Sequence, residues 1–201
     1  MSRAVGIFVF DQVEVLDFAG PYEVFTTAAR MHARQEKSAP PLFNVFTVGL
    51  SRNPLTARAG LSVFPDFDFL NHPQIDILIV PGGVVTDELT RPGVPEWIAT
   101  SAGRSEITAA VCTGAFLLAQ AGLLKGRSAT THWEDMDDLR NMCPDVKVIP
   151  NVRWVDEGRV VTSGGISAGI DMSLHLVERV GGRALAERTA RQMEFDWREN
   201  G

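Results

Sequence analysis

The segment EITAAVCTGAF, residues 106–116, joins a largely apolar run to a cysteine, a small residue and a glycine. Its first six residues predict a short strand covered on both faces, because a strand with one face in water alternates apolar and polar residues. The residues from Thr113 onward predict a helix. A strand that passes directly into a helix is the repeating unit of α/β folds, so this segment predicts a parallel sheet covered by helices.

Further runs on both sides of this segment extend the same pattern. Strands are predicted at 4–10 (AVGIFVF), 43–48 (FNVFTV) and 75–80 (IDILIV), and a hairpin at 152–165. Helical patterns lie between them, at 21–34, 113–121, 134–142, 166–180 and 182–193. The first helix is predicted to begin at Pro21, because proline suits a first helical position. Together they predict one flavodoxin-like domain over residues 1–201, a doubly wound, mostly parallel sheet sandwiched by helices.

Composition excludes several classes of protein. The chain has 201 residues, 45% of them hydrophobic, and a net charge of −6 with acidic and basic residues interspersed. Without a basic stripe, nucleic acid is not an expected partner. No apolar run approaches the roughly 20 residues that span a bilayer, so no membrane association is expected. Two cysteines and an N-terminus that predicts a strand rather than a signal peptide favour the cytoplasm.

Cys112 stands at the carboxyl end of a predicted strand, where open α/β sheets bind their ligands. The free N–H groups and positive dipole end of the following helix predict a lowered thiol pKa. Small neighbours would let the chain turn sharply there, as in a nucleophile elbow: Ala109, Ala110, Gly114 and Ala115. Taken alone, the segment favours a buried cysteine that only fills space, because cysteine is among the most buried residue types.

Two glycine turns accompany this cysteine. Pro81-Gly82-Gly83 ends another predicted strand, and its backbone N–H groups could form an oxyanion hole with the N–H of Thr113. Ser163-Gly164-Gly165 follows the predicted hairpin and could supply a third wall of the same pocket. Both sequences also fit ordinary turns at the ends of strands.

A carboxylate and a histidine complete the candidate site. Asp17 lies among apolar residues in VEVLDFAGPYEVF, which fits either a helix cap or a carboxyl group with a raised pKa that holds a proton near neutral pH. His132 follows Cys112 by one helix and one short strand, so it could pair with the thiol or serve as a structural histidine beside Trp133. No spacing of histidine, cysteine or carboxylates indicates a metal site, and no phosphate-binding glycine motif is present.

Four segments together resemble the ThiJ/PfpI superfamily, whose fold is related to class I glutamine amidotransferases: DFAGPYEVF, VPGG, AAVCTGAFLLAQAGLLKGRSATTHW and TSGGISAGIDMSLHLVE. The resemblance covers residues 4 to 194 and is strongest to isocyanide (isonitrile) hydratases. It implies Cys112 as the nucleophile and Asp17 as the acid beside it. It also implies a pocket formed by Gly83, Thr113, Gly165 and Ile166. His132 matches a superfamily histidine whose catalytic or structural role is left open.

Two departures from the superfamily narrow the expected function. PfpI-type peptidases have a histidine directly after the nucleophile, where this chain has Thr113, which argues against peptidase activity. AraC-type regulators add a helix-turn-helix region of roughly 100 residues, which a chain that fills one domain does not contain, so DNA binding is not expected.

We therefore expect a homodimeric enzyme that needs no cofactor and hydrates an isocyanide to an N-substituted formamide through a thioimidate on Cys112. Two alternatives stay open, because a shared fold does not fix a function. One is a glyoxalase or deglycase acting on methylglyoxal-type substrates. The other is a non-catalytic ligand or redox sensor related to the N-terminal domains of AraC-type regulators.

Overall fold

The central sheet is built from the short apolar strands that the sequence predicts. The computed structural model describes residues 2–36 and 40–200. In chain order the strands are β1 (Arg3–Phe8), β2 (Phe43–Gly49), β3 (Leu55–Thr56), β4 (Ser62–Val63), β5 (Phe67–Asp68), β6 (Ile77–Val80), β7 (Ile107–Val111), β8 (Ser128–Ala129), β9 (Lys147–Val148), β10 (Trp154–Asp156) and β11 (Val160–Ser163). The helices are α1 (Val15–Gln35), α2 (Thr86–Thr90), α3 (Val94–Arg104), α4 (Gly114–Gln120), α5 (Met136–Met142), α6 (Ala168–Gly181) and α7 (Arg183–Gln192).

The strand order of the main sheet confirms the predicted fold class. In the described part of the chain, seven strands pair in the order β10-β11-β7-β6-β1-β2-β5. All neighbours are parallel except β10 and β11, which form the predicted antiparallel hairpin. Residues 77–80 are buried throughout, as expected for a strand between two helical layers. The sheet is sandwiched by helices, with α1, α6 and α7 in one packed group and α2, α3 and α4 in another.

The first helix departs from the prediction at its start. It begins at Val15 rather than at Pro21, so Pro21 lies inside α1. A proline there has no N–H to donate to the carbonyl one turn earlier, but the buried apolar face of α1 holds the helix together across that gap. Asp17 therefore lies in the first turn of the helix and points into the protein, where it is 0% exposed.

Some elements were not predicted from the sequence. The β3–β4 hairpin is made of two-residue strands that pair only with each other, and α3 begins at a Pro-Gly-rich stretch that indicates a loop. Both cysteines are free, Cys112 buried and Cys143 partly buried. None of the described helices is both long enough and apolar enough to span a bilayer.

Candidate active site

Four adjacent strands bring the predicted site residues to one edge of the sheet. β1, β6, β7 and β11 lie side by side with the same polarity. The segments after their carboxyl ends carry Asp17, Gly82-Gly83, Cys112 and Gly165, in that strand order. Parallel strands end at the same edge, so residues far apart in the sequence meet there.

Cys112 occupies the turn between β7 and α4 in a left-handed conformation, with φ of 57°. A residue with a Cβ atom rarely adopts this conformation, and such strain is concentrated at functional sites. The turn is held by Thr131, whose hydroxyl donates to the Cys112 carbonyl at 2.8 Å. Gly114 makes the turn possible, since a Cβ atom there would lie 2.1 Å from the carbonyl oxygen of Val80. This geometry is that of a nucleophile elbow.

Asp17 lies beneath the cysteine as a fully buried carboxyl group. Its Oδ2 accepts a hydrogen bond from the N–H of Gly82 at 3.0 Å. Its Oδ1 is also buried and has no nitrogen or oxygen partner among the described residues. Burial raises the pKa of Asp17 to about 7, although the hydrogen bonds from Gly82 and the Cys112 thiol oppose the shift. The carboxyl group therefore changes protonation near neutral pH, in the direction expected from the sequence.

The pKa of Cys112 is raised, whereas the sequence predicts a lowered pKa. Burial raises it to about 12 and the charge of Asp17 raises it further, while the Thr113 N–H lowers it less than these two raise it. The prediction of a lowered pKa is wrong because burial of the sulfur and the charge of Asp17 outweigh the N–H of Thr113 at the start of α4. The thiol and the carboxyl group thus affect each other's protonation.

The Pro81-Gly82-Gly83 turn is tied to the cysteine loop by Thr113. The Thr113 hydroxyl accepts from the N–H of Gly83 at 2.9 Å and donates to its carbonyl at 2.9 Å. The Gly83 N–H, expected to be an oxyanion donor, is therefore already engaged. The sequence indicated Gly82 only as part of a turn with oxyanion donors, whereas its N–H donates to Asp17, and a Cβ atom there would lie 2.5 Å from the Thr113 hydroxyl oxygen.

His132 lies near the sulfur, next to Gly165. Its Nδ1 accepts from the N–H of Glu134 at 3.4 Å and lies 3.3 Å from Asp135 Oδ2, so this nitrogen is engaged by the residues that follow His132. The Cδ2 edge of the ring faces Gly165 instead. A Cβ atom on Gly165 would lie 2.4 Å from His132 Cδ2 and 2.9 Å from Cys112 Sγ. Gly165 thus has no side chain where the ring and the sulfur converge.

A cleft of about 210 Å³ opens over these groups. Its lining includes five predicted residues: Gly83, Cys112, Thr113, His132 and Ile166. It also includes four charged residues that the sequence did not indicate as site residues: Glu14, Arg58, Glu134 and Asp135. Arg58 comes from the turn of the β3–β4 hairpin, so only long-range folding brings it here. Glu134 and Asp135 follow His132 directly, and that adjacency is the one signal that could have identified them.

This cleft differs from other clefts on the surface in the residues that line it rather than in its volume. Clefts of about 200, 250 and 260 Å³ lie elsewhere on the surface, without a cysteine in their lining. The site cleft lies below the roughly 300–1,000 Å³ typical of pockets for drug-sized ligands, so it fits a small molecule. Among the described residues, no group of three or more histidine, cysteine or carboxylate side chains is placed to hold a metal ion.

Comparison with known proteins adds to this geometry. A model of the DJ-1/PfpI family matches residues 3–179. The isonitrile hydratase of Pseudomonas putida is 34% identical over 97% of this chain and 79% of its own length. The HTH-type transcriptional regulator GbdR of Pseudomonas aeruginosa is 31% identical over 92% of this chain, which spans only 48% of that regulator. A crystal structure of a ThiJ/PfpI family protein from Pseudomonas syringae superposes with a TM-score of 0.84 at 26% identity, covering 98% of this chain and 76% of that one.

Proposed function

The chain belongs to the DJ-1/PfpI family, and we propose that it hydrates small isocyanides, R–N≡C, to N-substituted formamides. The observation that carries the proposal is a fully buried carboxyl group, Asp17, beside a cysteine on a left-handed turn at the edge of the sheet. The 34% identity to an isonitrile hydratase supports the same reaction. An isocyanide is electrophilic at its terminal carbon, which a thiolate can attack. The cleft is small enough to select such a compound.

The first half of the proposed reaction joins the substrate to Cys112. Asp17 takes the thiol proton as the sulfur attacks the terminal carbon of the isocyanide. The same carboxyl group then delivers that proton to the carbon, which leaves the thioimidate R–N=CH–S–Cys112. The proton moves from sulfur to carbon by way of Asp17, so the addition is balanced. A pKa near 7 suits a group that must both accept and donate a proton at neutral pH.

The second half releases the product with water. Asp17, again a carboxylate, removes a proton from a water molecule while the water oxygen attacks the thioimidate carbon, and the protonated Asp17 then passes that proton to the nitrogen. The resulting R–NH–CH(OH)–S–Cys112 expels Cys112 as a thiolate while Asp17 takes the hydroxyl proton, which gives R–NH–CHO. Asp17 then returns that proton to the sulfur, which restores the thiol. Splitting the hydration into two steps is covalent catalysis, and the proton transfers contribute about 10²–10⁴-fold.

In the proposed reaction, the surrounding residues orient the thiol, the carboxyl group and the substrate. Thr113 supplies the N–H that faces the sulfur and ties the cysteine loop to Gly83. Ile166 lines the cleft where R would lie, and Gly165, which does not line it, leaves room for His132 and the sulfur. The Nδ1 of His132 contacts Glu134 and Asp135, so we assign His132 a structural role. A homodimer in the cytoplasm stays a prediction, and light scattering after size-exclusion chromatography tests the dimer.

The direct test is formamide release from cyclohexyl isocyanide by the purified protein. The wild type and Cys143→Ser are expected to turn over, and Cys112→Ala is expected to be inactive. Asp17→Asn should lose about 10²-fold or more in kcat/KM, while Cys112 remains accessible and is still alkylated to completion at high pH. The same activity in the wild type and Cys112→Ala would refute the proposal, and full activity in Asp17→Asn would remove Asp17 from the mechanism.

A sensor without catalysis is the second candidate, favoured by one observation. The raised pKa of Cys112 keeps the thiol protonated at rest, and a regulator of transcription is among the relatives of the chain. Tight, saturable binding of a small molecule without product would favour this function. Lactate formation from methylglyoxal would instead favour a glyoxalase.

A further inference from the structure

The charged side chains that line the cleft include more carboxylates than cations. Arg58 donates to Glu14 Oε2 at 3.2 Å, so these two opposite charges compensate each other. Glu134 and Asp135, within the described part of the chain, form ion-pair contacts only with the imidazole of His132. Even a protonated His132 would cancel only one of these two charges. The cleft therefore keeps a net negative charge at neutral pH.

This negative charge is placed where it acts on an entering molecule. The side chains of Glu134 and Asp135 are 63% and 34% exposed, so they border the opening rather than belong to a buried network. Asp135 is close enough to the sulfur to contribute to the raised pKa of Cys112. Fixed charges of one sign around a cleft raise the local concentration of ions of the other sign.

A second feature lies next to the cleft. Asp17 Oδ1 is buried, has no hydrogen-bond partner among the described residues, and belongs to the carboxyl group whose charge acts on Cys112. A buried polar atom without a partner is costly to the fold and calls for an explanation. Asp17 does not itself line the cleft, so a donor for Oδ1 would have to reach past the residues that do.

We propose that this cleft selects small electrophiles whose R group carries a positive charge, such as an ammonium-alkyl isocyanide, and disfavours anionic ones. The inference rests on the proposed function for the nature of the electrophile. The cationic group would lie against Glu134 and Asp135 while the electrophilic carbon reaches Cys112. The Glu14–Arg58 pair would border the other side of the opening without a net charge.

Turnover of three isocyanides of matched shape provides the first test. The probes are trimethylammoniopropyl isocyanide, its uncharged analogue with a tert-butyl group, and an anionic analogue with a carboxylate. At low ionic strength we expect kcat/KM for the cationic compound to exceed that for the anionic one by ~10-fold. Salt should reduce the ratio to ~2-fold at an ionic strength near 0.5 M, because the charges are exposed.

Matched variants locate the source of the selectivity. Glu134→Gln combined with Asp135→Asn should lower the cation-to-anion ratio by ~3-fold or more. Asp137→Asn is the control, because Asp137 lies two residues further along, is 88% exposed, pairs with Arg140 and does not line the cleft. Its ratio should stay within ~1.5-fold of the wild type. Equal ratios in the double variant and the wild type would overturn the proposal.

A second measurement does not depend on turnover. In Cys143→Ser, Cys112 is treated with aminoethyl methanethiosulfonate or sulfonatoethyl methanethiosulfonate. Its sulfur attacks the sulfenyl sulfur, forms a disulfide and releases methanesulfinate, while the thiol proton passes to Asp17 and then to solvent. Each rate is divided by the rate of the same reagent with a free small thiol, which removes intrinsic differences in reactivity.

The two measurements separate failure of the inference from failure of the proposed function. A normalised preference of ~5-fold or more for the cationic reagent, lost in the Glu134→Gln and Asp135→Asn double variant, supports the inference. A ratio of one or below overturns it, whatever the protein does with isocyanides. No isocyanide turnover together with a retained charge preference would refute the hydratase and leave the cation selectivity of the cleft in place.

Discussion

Gly165→Ala tests whether His132 and Cys112 approach each other so closely that the residue between them can have no side chain. The alanine methyl group would lie 2.4 Å from His132 Cδ2 and 2.9 Å from Cys112 Sγ. Carbon atoms in contact prefer about 3.5–4.0 Å, so the ring, the sulfur or the backbone must move by about 1 Å. Gly165 has no positive φ, so the change introduces a steric clash without backbone strain.

The cost of this substitution can be set from the geometry. Overpacking costs about 1–3 kcal/mol, which lowers Tm by about 2–12 °C for a chain of this size. A 1 Å misplacement of reacting groups costs about 10²-fold in rate. We therefore expect a folded variant whose kcat/KM on an isocyanide falls ~100-fold and whose Cys112 is alkylated several-fold more slowly.

The neighbouring glycine provides a matched control. A Cβ atom on Gly164 would have its closest neighbours at 3.7 Å, in ordinary contact. Gly164→Ala should therefore keep Tm within ~2 °C and kcat/KM within ~3-fold of the wild type. Far-UV circular dichroism, thermal melts and alkylation with iodoacetamide are measured on all three proteins. Wild-type kcat/KM and alkylation in Gly165→Ala, or an equal loss in Gly164→Ala, would refute the assigned close approach.

Three further predictions concern the carboxyl groups. Because burial raises the pKa of Asp17 to about 7, kcat/KM should fall about tenfold per pH unit below pH 7 and level off above it; a flat profile between pH 5 and 8 would contradict this assignment. The folded pKa of Asp17 lies above its ordinary value of 3.8, so its contribution to stability is fully present below pH 3.8 and is lost as the pH rises through about 7, a loss of ~4 kcal/mol. Asp17→Asn should therefore raise Tm relative to the wild type at pH 8 and lose most of this advantage at pH 5, and a difference independent of pH would argue against the raised pKa. Asp171→Ala should lower the free energy of unfolding in urea by ~3 kcal/mol, because the fully buried Asp171 pairs with Arg153 and accepts from the N–H of Arg198 at 2.8 Å. The control Asp156→Ala removes a partly exposed carboxylate and should lower it by ~1 kcal/mol. Equal losses would refute the role given to burial.

Local patterns predicted most of the sheet because its strands are covered on both faces. Runs such as residues 77–80 must be continuously apolar when water reaches neither face, and that requirement is visible in the sequence. The predicted start of α1 was wrong because it depends on packing between distant segments rather than on a local pattern. Proline favours the first turn of a helix, but packing of the apolar face of α1 outweighs that preference and extends the helix back to Val15.

The sequence by itself determined the fold class, the turn that carries Cys112 and the apolar setting of Asp17, because these depend on residues close together in the chain. Only the tertiary structure decided the protonation of the pair. Burial and the proximity of two acidic groups are long-range properties, and together they reverse the lowered thiol pKa that the following helix predicts. The charge of the cleft has the same origin, since Arg58 and Glu14 reach it from separate elements and meet there only when the chain folds.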